Sequence, residues 1–164
     1  ARGVRGAMGA RFAADCNLGK LAKWLRILGY DTLYERGNAD QSFLMKAGEQ
    51  GRIALTRKRD LTALPPPGRL VVVKSDHVAG QIGEVLEALA LEPNPARRMT
   101  RCLRCNEFME EVAKERVEGL VPAYVYEKYP RFRRCPCCNG IFWPGTHRRH
   151  VEDALRKRSL ECRP

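Results

Sequence analysis

Acidic residues are scarce in this chain: 19 Asp and Glu stand against 30 Lys and Arg, giving a formal net charge of +11 over 164 residues. Histidine is scarcer still, with three copies, and aromatic residues make up 7%. No apolar run approaches the roughly 20 residues of a membrane span. The opening ARGVRGAMGARF has basic residues but no apolar stretch behind them, so it does not read as a secretory signal. Beyond two cysteine pairs, internal repeats are also missing, as are low-complexity tracts. These absences exclude a helical membrane protein, a solenoid and a disordered acidic tail. A hydrophobic share of 44% is that of an ordinary globular protein. The length allows one domain, or a domain of roughly 100 residues with a small metal-held module.

Cysteine, by contrast, is well supplied. Seven is an odd number, which argues against a fully paired oxidised protein and for a reducing, cytoplasmic setting. Four of the seven form two C-x-x-C knuckles, Cys102–Cys105 and Cys135–Cys138. Each knuckle lets two thiolates from one tight turn reach the same ion, and tetrahedral Zn²⁺ takes four soft ligands at about 2.3 Å. Pro136 stiffens the second turn, and Asn139 and Gly140 are suited to the positive φ that closes it. A disulfide framework or a redox pair is the competing reading, which two matched pairs in a basic segment disfavour. Cys137 is a possible substitute ligand with poorer spacing, and Cys16 and Cys162 read as free thiols.

Charge and metal module coincide. Residues 97–164 carry 16 of the 30 Lys and Arg and 9 of the 19 acids, a net of +7. Cationic density of this kind favours a polyanion, because neutralising phosphates releases counterions. Tyr124, Tyr126, Tyr129, Phe132, Phe142 and Trp143 lie in the same segment. Aromatics of a small ribbon are usually its core, with base stacking the less common role.

Upstream, strand-like and helix-like patterns alternate. Arg11–Ala14, Thr32–Tyr34, Ile53–Thr56 and Leu70–Val73 read as strands. Leu18, Leu21, Ala22, Leu25 and Leu28 form a helical stripe, with Asn17 expected to cap its start and Gly29 its end. Asp40 is expected to cap a second helix through Phe43, Leu44 and Ala47, and Ile82, Val85, Leu86 and Leu89 mark a third. Such alternation predicts a mostly parallel sheet covered by helices, with ligands at the carboxyl ends of its strands. Asp15, Asp40, Asp60 and Asp76 all fall near those ends. Clustered carboxylates need a hard cation such as Mg²⁺ or Mn²⁺, which can activate water for displacement at phosphorus. Each also has a plain alternative as a helix cap or a solvated loop residue.

The run Asp15 to Thr32, DCNLGKLAKWLRILGYDT, closely resembles the opening of the PIN-like RNase family named after the carboxy-terminal domain of the Mut-seven exonuclease. Gly51 to Arg57, Cys102 to Asn106, Val121 to Glu127, Cys135 to Gly140 and Trp143 to His147 match further motifs. The resemblance covers about residues 11–150. It implies a PIN-like three-layer α/β/α sandwich over residues 11–94 and a small four-cysteine zinc ribbon over 97–147. A basic helix or tail over 148–164 completes the expected layout. It also implies metal-dependent hydrolysis of RNA phosphodiesters, with Zn²⁺ structural and Mg²⁺ or Mn²⁺ catalytic. Asp15 matches the first catalytic acid and Asp40 the acid opening the next helix. Asp60 or Asp76 would complete the ion's shell, with Cys102, Cys105, Cys135 and Cys138 on zinc. Arg57, Lys58, Lys20 and His147 are the candidate RNA contacts. One departure stands out: after Leu-Thr-Arg the family usually has Asp, and this chain has Lys58. The alternatives are therefore an RNA-binding module with impaired catalysis, or one that docks the ribosome or another protein.

Overall fold

The computed structural model describes residues 9–63 and 68–145, together with Asp153 and Arg156. Four strands, β1 (Arg11–Ala14), β2 (Asp31–Tyr34), β3 (Ile53–Thr56) and β4 (Leu70–Val72), form a wholly parallel sheet in the order β2-β1-β3-β4. Three helices cover it: α1 (Gly19–Ile27), α2 (Gln41–Glu49) and α3 (Val78–Ala88). The period of two in β1 divides the core between the faces. Phe12 and Ala14 join the buried side chains of α1 and α3, while Ala13 joins Phe43, Leu44 and Ala47 of α2. This is the expected α/β sandwich around a parallel sheet.

The side on which successive strands are added reverses between β1 and β3. The first crossover leads outward to β2 and the next returns past β1, so this is the topological switch point where such sheets open a crevice.

A second unit follows. Its three-stranded antiparallel sheet, β5 (Glu110–Val112), β6 (Phe132–Arg134) and β7 (Ile141–Phe142), carries one short helix, α4 (Ala123–Lys128). Its apolar centre is small: Val117, Val125 and Phe132 are buried, with Trp143 edge-on to Phe132. Phe132 is thus core rather than a stacking platform, while Tyr124 is 70% exposed.

The two units are joined tightly at the start of the sheet. Gly29 has φ +97°, and a Cβ there would lie 2.5 Å from the Arg97 carbonyl oxygen, so only glycine fits. Asp31 is the hub beside it. Its Oδ1 accepts from Arg52 at 2.7 Å and from the Asn106 amide at 2.7 Å, joining β2, β3 and the first knuckle. Burial alone would raise the Asp31 carboxyl; the hydrogen bonds from Arg52 and Asn106 outweigh it and hold it below the usual range.

A carboxyl held low stabilises the fold fully above its ordinary range and loses that contribution as pH falls through the lowered value. Asp31→Ala should therefore cost roughly 2–4 kcal/mol, because it leaves the buried Arg52 guanidinium with backbone acceptors but no carboxylate. Urea unfolding at pH 7 and pH 3 checks this: the gap between variant and parent should narrow at the lower pH.

One expected cap is different. Leu18, not Asn17, occupies the N-cap of α1, without a side-chain hydrogen bond. The Asn17 backbone N–H turns back to Asp15 instead. Asp40 does cap α2, accepting from the Phe43 N–H at 3.1 Å. The expected terminal helix and His147 lie outside the described residues, apart from Asp153 and Arg156, which are helical.

Candidate metal centre and sheet-edge site

The two knuckles are built alike. In the first, Cys102 N–H donates to Glu107 O and Asn106 N–H to Cys102 O; in the second, Cys135 N–H donates to Gly140 O and Asn139 N–H to Cys135 O. Asn106 and Asn139 take φ +66° and +57° at equivalent places. Gly140 has no positive φ, so the closing residue in both turns is asparagine, which tolerates that region through its short polar side chain.

The turns bring the sulfur atoms of Cys102, Cys105, Cys135 and Cys138 within 4.8 Å of one another. Cys102 and Cys138 Sγ are 3.8 Å apart, the edge of a tetrahedron with arms of about 2.3 Å. The donor set and its spacing fit a metal ion such as zinc. Burial pushes the Cys102 thiol up, whereas the Gly140 backbone N–H brings the Cys138 thiol down to about 7. Cys137 is exposed and outside the four.

This centre is docked against the first unit. Arg26, buried on α1, donates from Nη1 to the carbonyls of Leu103 (2.7 Å) and Arg104 (3.4 Å), and from Nε to Thr32 O (2.9 Å). The Asn106 side-chain oxygen accepts the Thr32 N–H at 3.0 Å, satisfying the outer edge of β2.

The sheet-edge site lies at the opposite ends of the strands. Asp15 follows β1 directly and is fully buried. Its Oδ1 accepts from Asn17 N–H (2.8 Å), and its Oδ2 from Thr56 Oγ1 (2.6 Å) and Arg57 N–H (3.4 Å). Thr56 Oγ1 in turn accepts from Lys58 N–H at 3.0 Å, so the last residue of β3 ties Asp15 to the turn that carries Arg57 and Lys58. Lys58 Nζ donates to Ala39 O at 3.0 Å, beside Asp40. Because Ala39 follows β2 and Lys58 follows β3, this bond spans the end of β1 between them. Arg57 and Asp76 form an ion pair. Lys20 is exposed on the first turn of α1, and Asp60 is exposed in a 3₁₀ turn after Lys58.

Those of the predicted residues that the structure describes thus lie toward one edge of the sheet, but the four aspartates do not gather. Among the described residues, the cysteine set is the one group of three or more potential ligands close enough to share an ion. Asp15, Thr56 and Lys58 are linked, Asp40 is brought near by the Lys58–Ala39 bond, Asp76 is engaged by Arg57, and Asp60 stands apart. Sequence reasoning missed Thr56, Arg26, Asp31 and Asn106 as working parts. All four lie inside the motifs quoted above, so the signal was present without its physical reason.

A doubly wound parallel domain with a buried aspartate at its switch point, joined to a four-cysteine module fit for a metal, is the class of protein that fold and site define. The model of the Mut7-C RNAse domain matches residues 10–155, and the chain belongs to that family. Membership makes the domain ribonuclease-type, with RNA as its substrate or partner. No curated protein and no solved structure matches it. Among the described residues, no helix is long and apolar enough to cross a membrane.

Proposed function

We propose that the chain is a metal-dependent ribonuclease that hydrolyses RNA phosphodiesters at the switch point, with a zinc-bound ribbon as its RNA-binding module. The observation that carries this reading is Asp15. A carboxylate is almost never fully buried unless paired, yet Asp15 meets only neutral donors and no cationic side chain among the described residues. Its three hydrogen bonds leave acceptor capacity on a carboxylate with about four lone-pair sites. Mg²⁺ is commonly held by one or two carboxylates plus substrate phosphates, so Asp15, with Asp40 brought near by the Lys58–Ala39 bond, would hold it, while Asp76 stays paired with Arg57. When bound, the ion would supply an activated water and neutralise charge developing at phosphorus.

The chain's own residues do the positioning. Thr56 holds Asp15 in orientation while its hydroxyl oxygen fixes the Lys58 backbone. Lys58 and Arg57 present cations to a scissile phosphate, and Lys20 extends that surface along the rim. On this reading residues 11–94 carry the chemistry and residues 97–147 the binding module, though Arg26 and Asn106 make the two mechanically continuous.

Labelled single-stranded RNA incubated with and without Mn²⁺ tests the proposal. Cleavage should require the ion and fall to background in Asp15→Asn. Thr56→Val should retain the fold and lose roughly 10–100-fold, the usual effect of removing an orienting partner. Ion-independent cleavage, or full activity in Asp15→Asn, would overturn it.

A second reading is RNA binding without turnover. It is favoured by the Lys58 ammonium standing beside Asp40, where it repels a divalent cation. RNA binding retained with no cleavage under any divalent ion would select it.

A further inference from the structure

We propose that the groove between the 95–99 linker and the ribbon sheet is a binding site for an unpaired nucleotide of single-stranded RNA. This rests on the RNA-binding reading above and names where the ribbon does the binding. The groove is about 420 Å³, within the range of small-molecule sites. Arg98, Arg131, Arg133, Phe142 and Trp143 line it, and Glu111 is the acid among its lining residues.

Two features point to a base and its phosphate rather than to an apolar ligand. Phe142 and Trp143 are only partly buried, unlike Phe132, on which Trp143 packs edge-on, so they offer ring surface to the groove. Aromatic faces at a basic groove are what a base stacks on in sequence-tolerant recognition. The cations around them are also underused. Arg133 donates from Nη1 to Met99 O at 2.7 Å, which fixes it as part of the wall. Arg98 and Arg131 have no carboxylate partner among the described residues, and Arg98 Nε is a buried donor with no acceptor. Guanidinium groups without a carboxylate partner at the groove are what a phosphate oxygen pairs with.

The place of the groove matters too. Ile27, at the last turn of α1, forms one side of it, whereas Asp15 precedes the first turn. The two sites are therefore separated by about the length of α1, roughly 12–14 Å at 1.5 Å per residue. RNA held in the groove would have to pass along the molecule to reach the sheet edge, so the groove serves as an anchor remote from the chemistry.

The test uses the full chain loaded with zinc, without other divalent ions, and a fluorescent twelve-nucleotide oligouridine. Anisotropy titrations compare Arg98→Glu/Arg131→Glu with Lys23→Glu/Arg116→Glu, which makes the same charge change at exposed positions elsewhere. The groove variant should weaken binding at least about tenfold and the control less than about threefold. In a Trp24→Phe background, oligouridine should quench the emission of Trp143, while dextran sulfate, a polyanion without bases, should not. Equal losses in both variants, or quenching by both polymers, would overturn the groove while leaving RNA binding intact. If the parent protein binds no oligouridine, the groove and the RNA-binding reading both fail.

Discussion

Cys102→Ser should abolish zinc binding and unfold the ribbon. It should also lower the melting temperature of the preceding α/β unit, although that unit contributes no ligand. The first part follows from size. Among the described residues, Val117, Val125 and Phe132 are the side chains buried in the ribbon's apolar cluster, too few to hold about 45 residues without a staple. Structural zinc supplies apparent binding energies of about 10–16 kcal/mol in comparable small modules, so its loss is decisive. The second part follows from Arg26. Its Nη1 finds acceptors in the carbonyls of Leu103 and Arg104, which the knuckle presents in place. A buried guanidinium deprived of acceptors costs about 1–3 kcal/mol, or several degrees in a domain of this size. Parent protein should carry one zinc per chain by elemental analysis. Asn106→Gly, which keeps the positive φ the turn needs, separates the two effects: it should keep its zinc and still melt lower, because the metal ligands survive while the side-chain contacts to Thr32 and Asp31 do not. Unchanged melting in both variants would show that the units are independent.

Lys58→Asp should raise metal-dependent cleavage at least about tenfold. The substitution changes the charge near Asp40 by two units, and Coulomb's law at an effective dielectric of about 20 gives on the order of 10 kcal/mol for such a change roughly 6 Å from a divalent ion. The edge is open to solvent, so screening removes much of that and leaves the smaller gain stated. Folding should be little affected. Lys58 is exposed, and the backbone hydrogen bond from its N–H to Thr56 does not depend on its side chain. The gain should appear at low Mn²⁺ concentration, as a shift in the midpoint for the ion, and calorimetric titration of Mn²⁺ without RNA should show the same shift. Loss of RNA affinity in the same variant would identify Lys58 as a phosphate contact as well. No gain in either measurement would mean that Asp15 and Asp40 do not hold the ion.

How much of this was readable beforehand depended on range. The strands were legible because their apolar runs are short and bounded by Asp, Gly and Pro. Arg11–Ala14 and Ile53–Thr56 occupy the expected positions without shift. The knuckles were legible because their ligands are local pairs with fixed spacing. Asn17 illustrates the opposite case: a good capping residue by type, it is drawn away by Asp15, whose position is set by β1 and by a threonine 41 residues downstream. The convergence of Asp31, Arg52 and Asn106 spans 75 residues of chain, and no local pattern announces it. Nor did the sequence reveal that the groove and the aspartate edge lie at opposite ends of α1. That separation follows from where the 95–99 linker runs past the end of α1, including the Met99 N–H bond to Ile27 O.

The bond from Thr32 N–H to the Asn106 side chain has one more consequence. β2 is a border of the parallel sheet, and a border strand with free N–H and C=O groups is a template on which another chain can pair. In the folded protein Asn106 and Arg26 cover Thr32 from the side, and the cover Asn106 gives to the N–H depends on the shape of the cysteine turn. Stripping the metal would uncover that border at the moment the ribbon becomes a loose polypeptide. Self-association through β2, seen as turbidity or oligomers on addition of a chelator, is the failure mode this arrangement suppresses, and metal supply would then govern colloidal behaviour as well as fold.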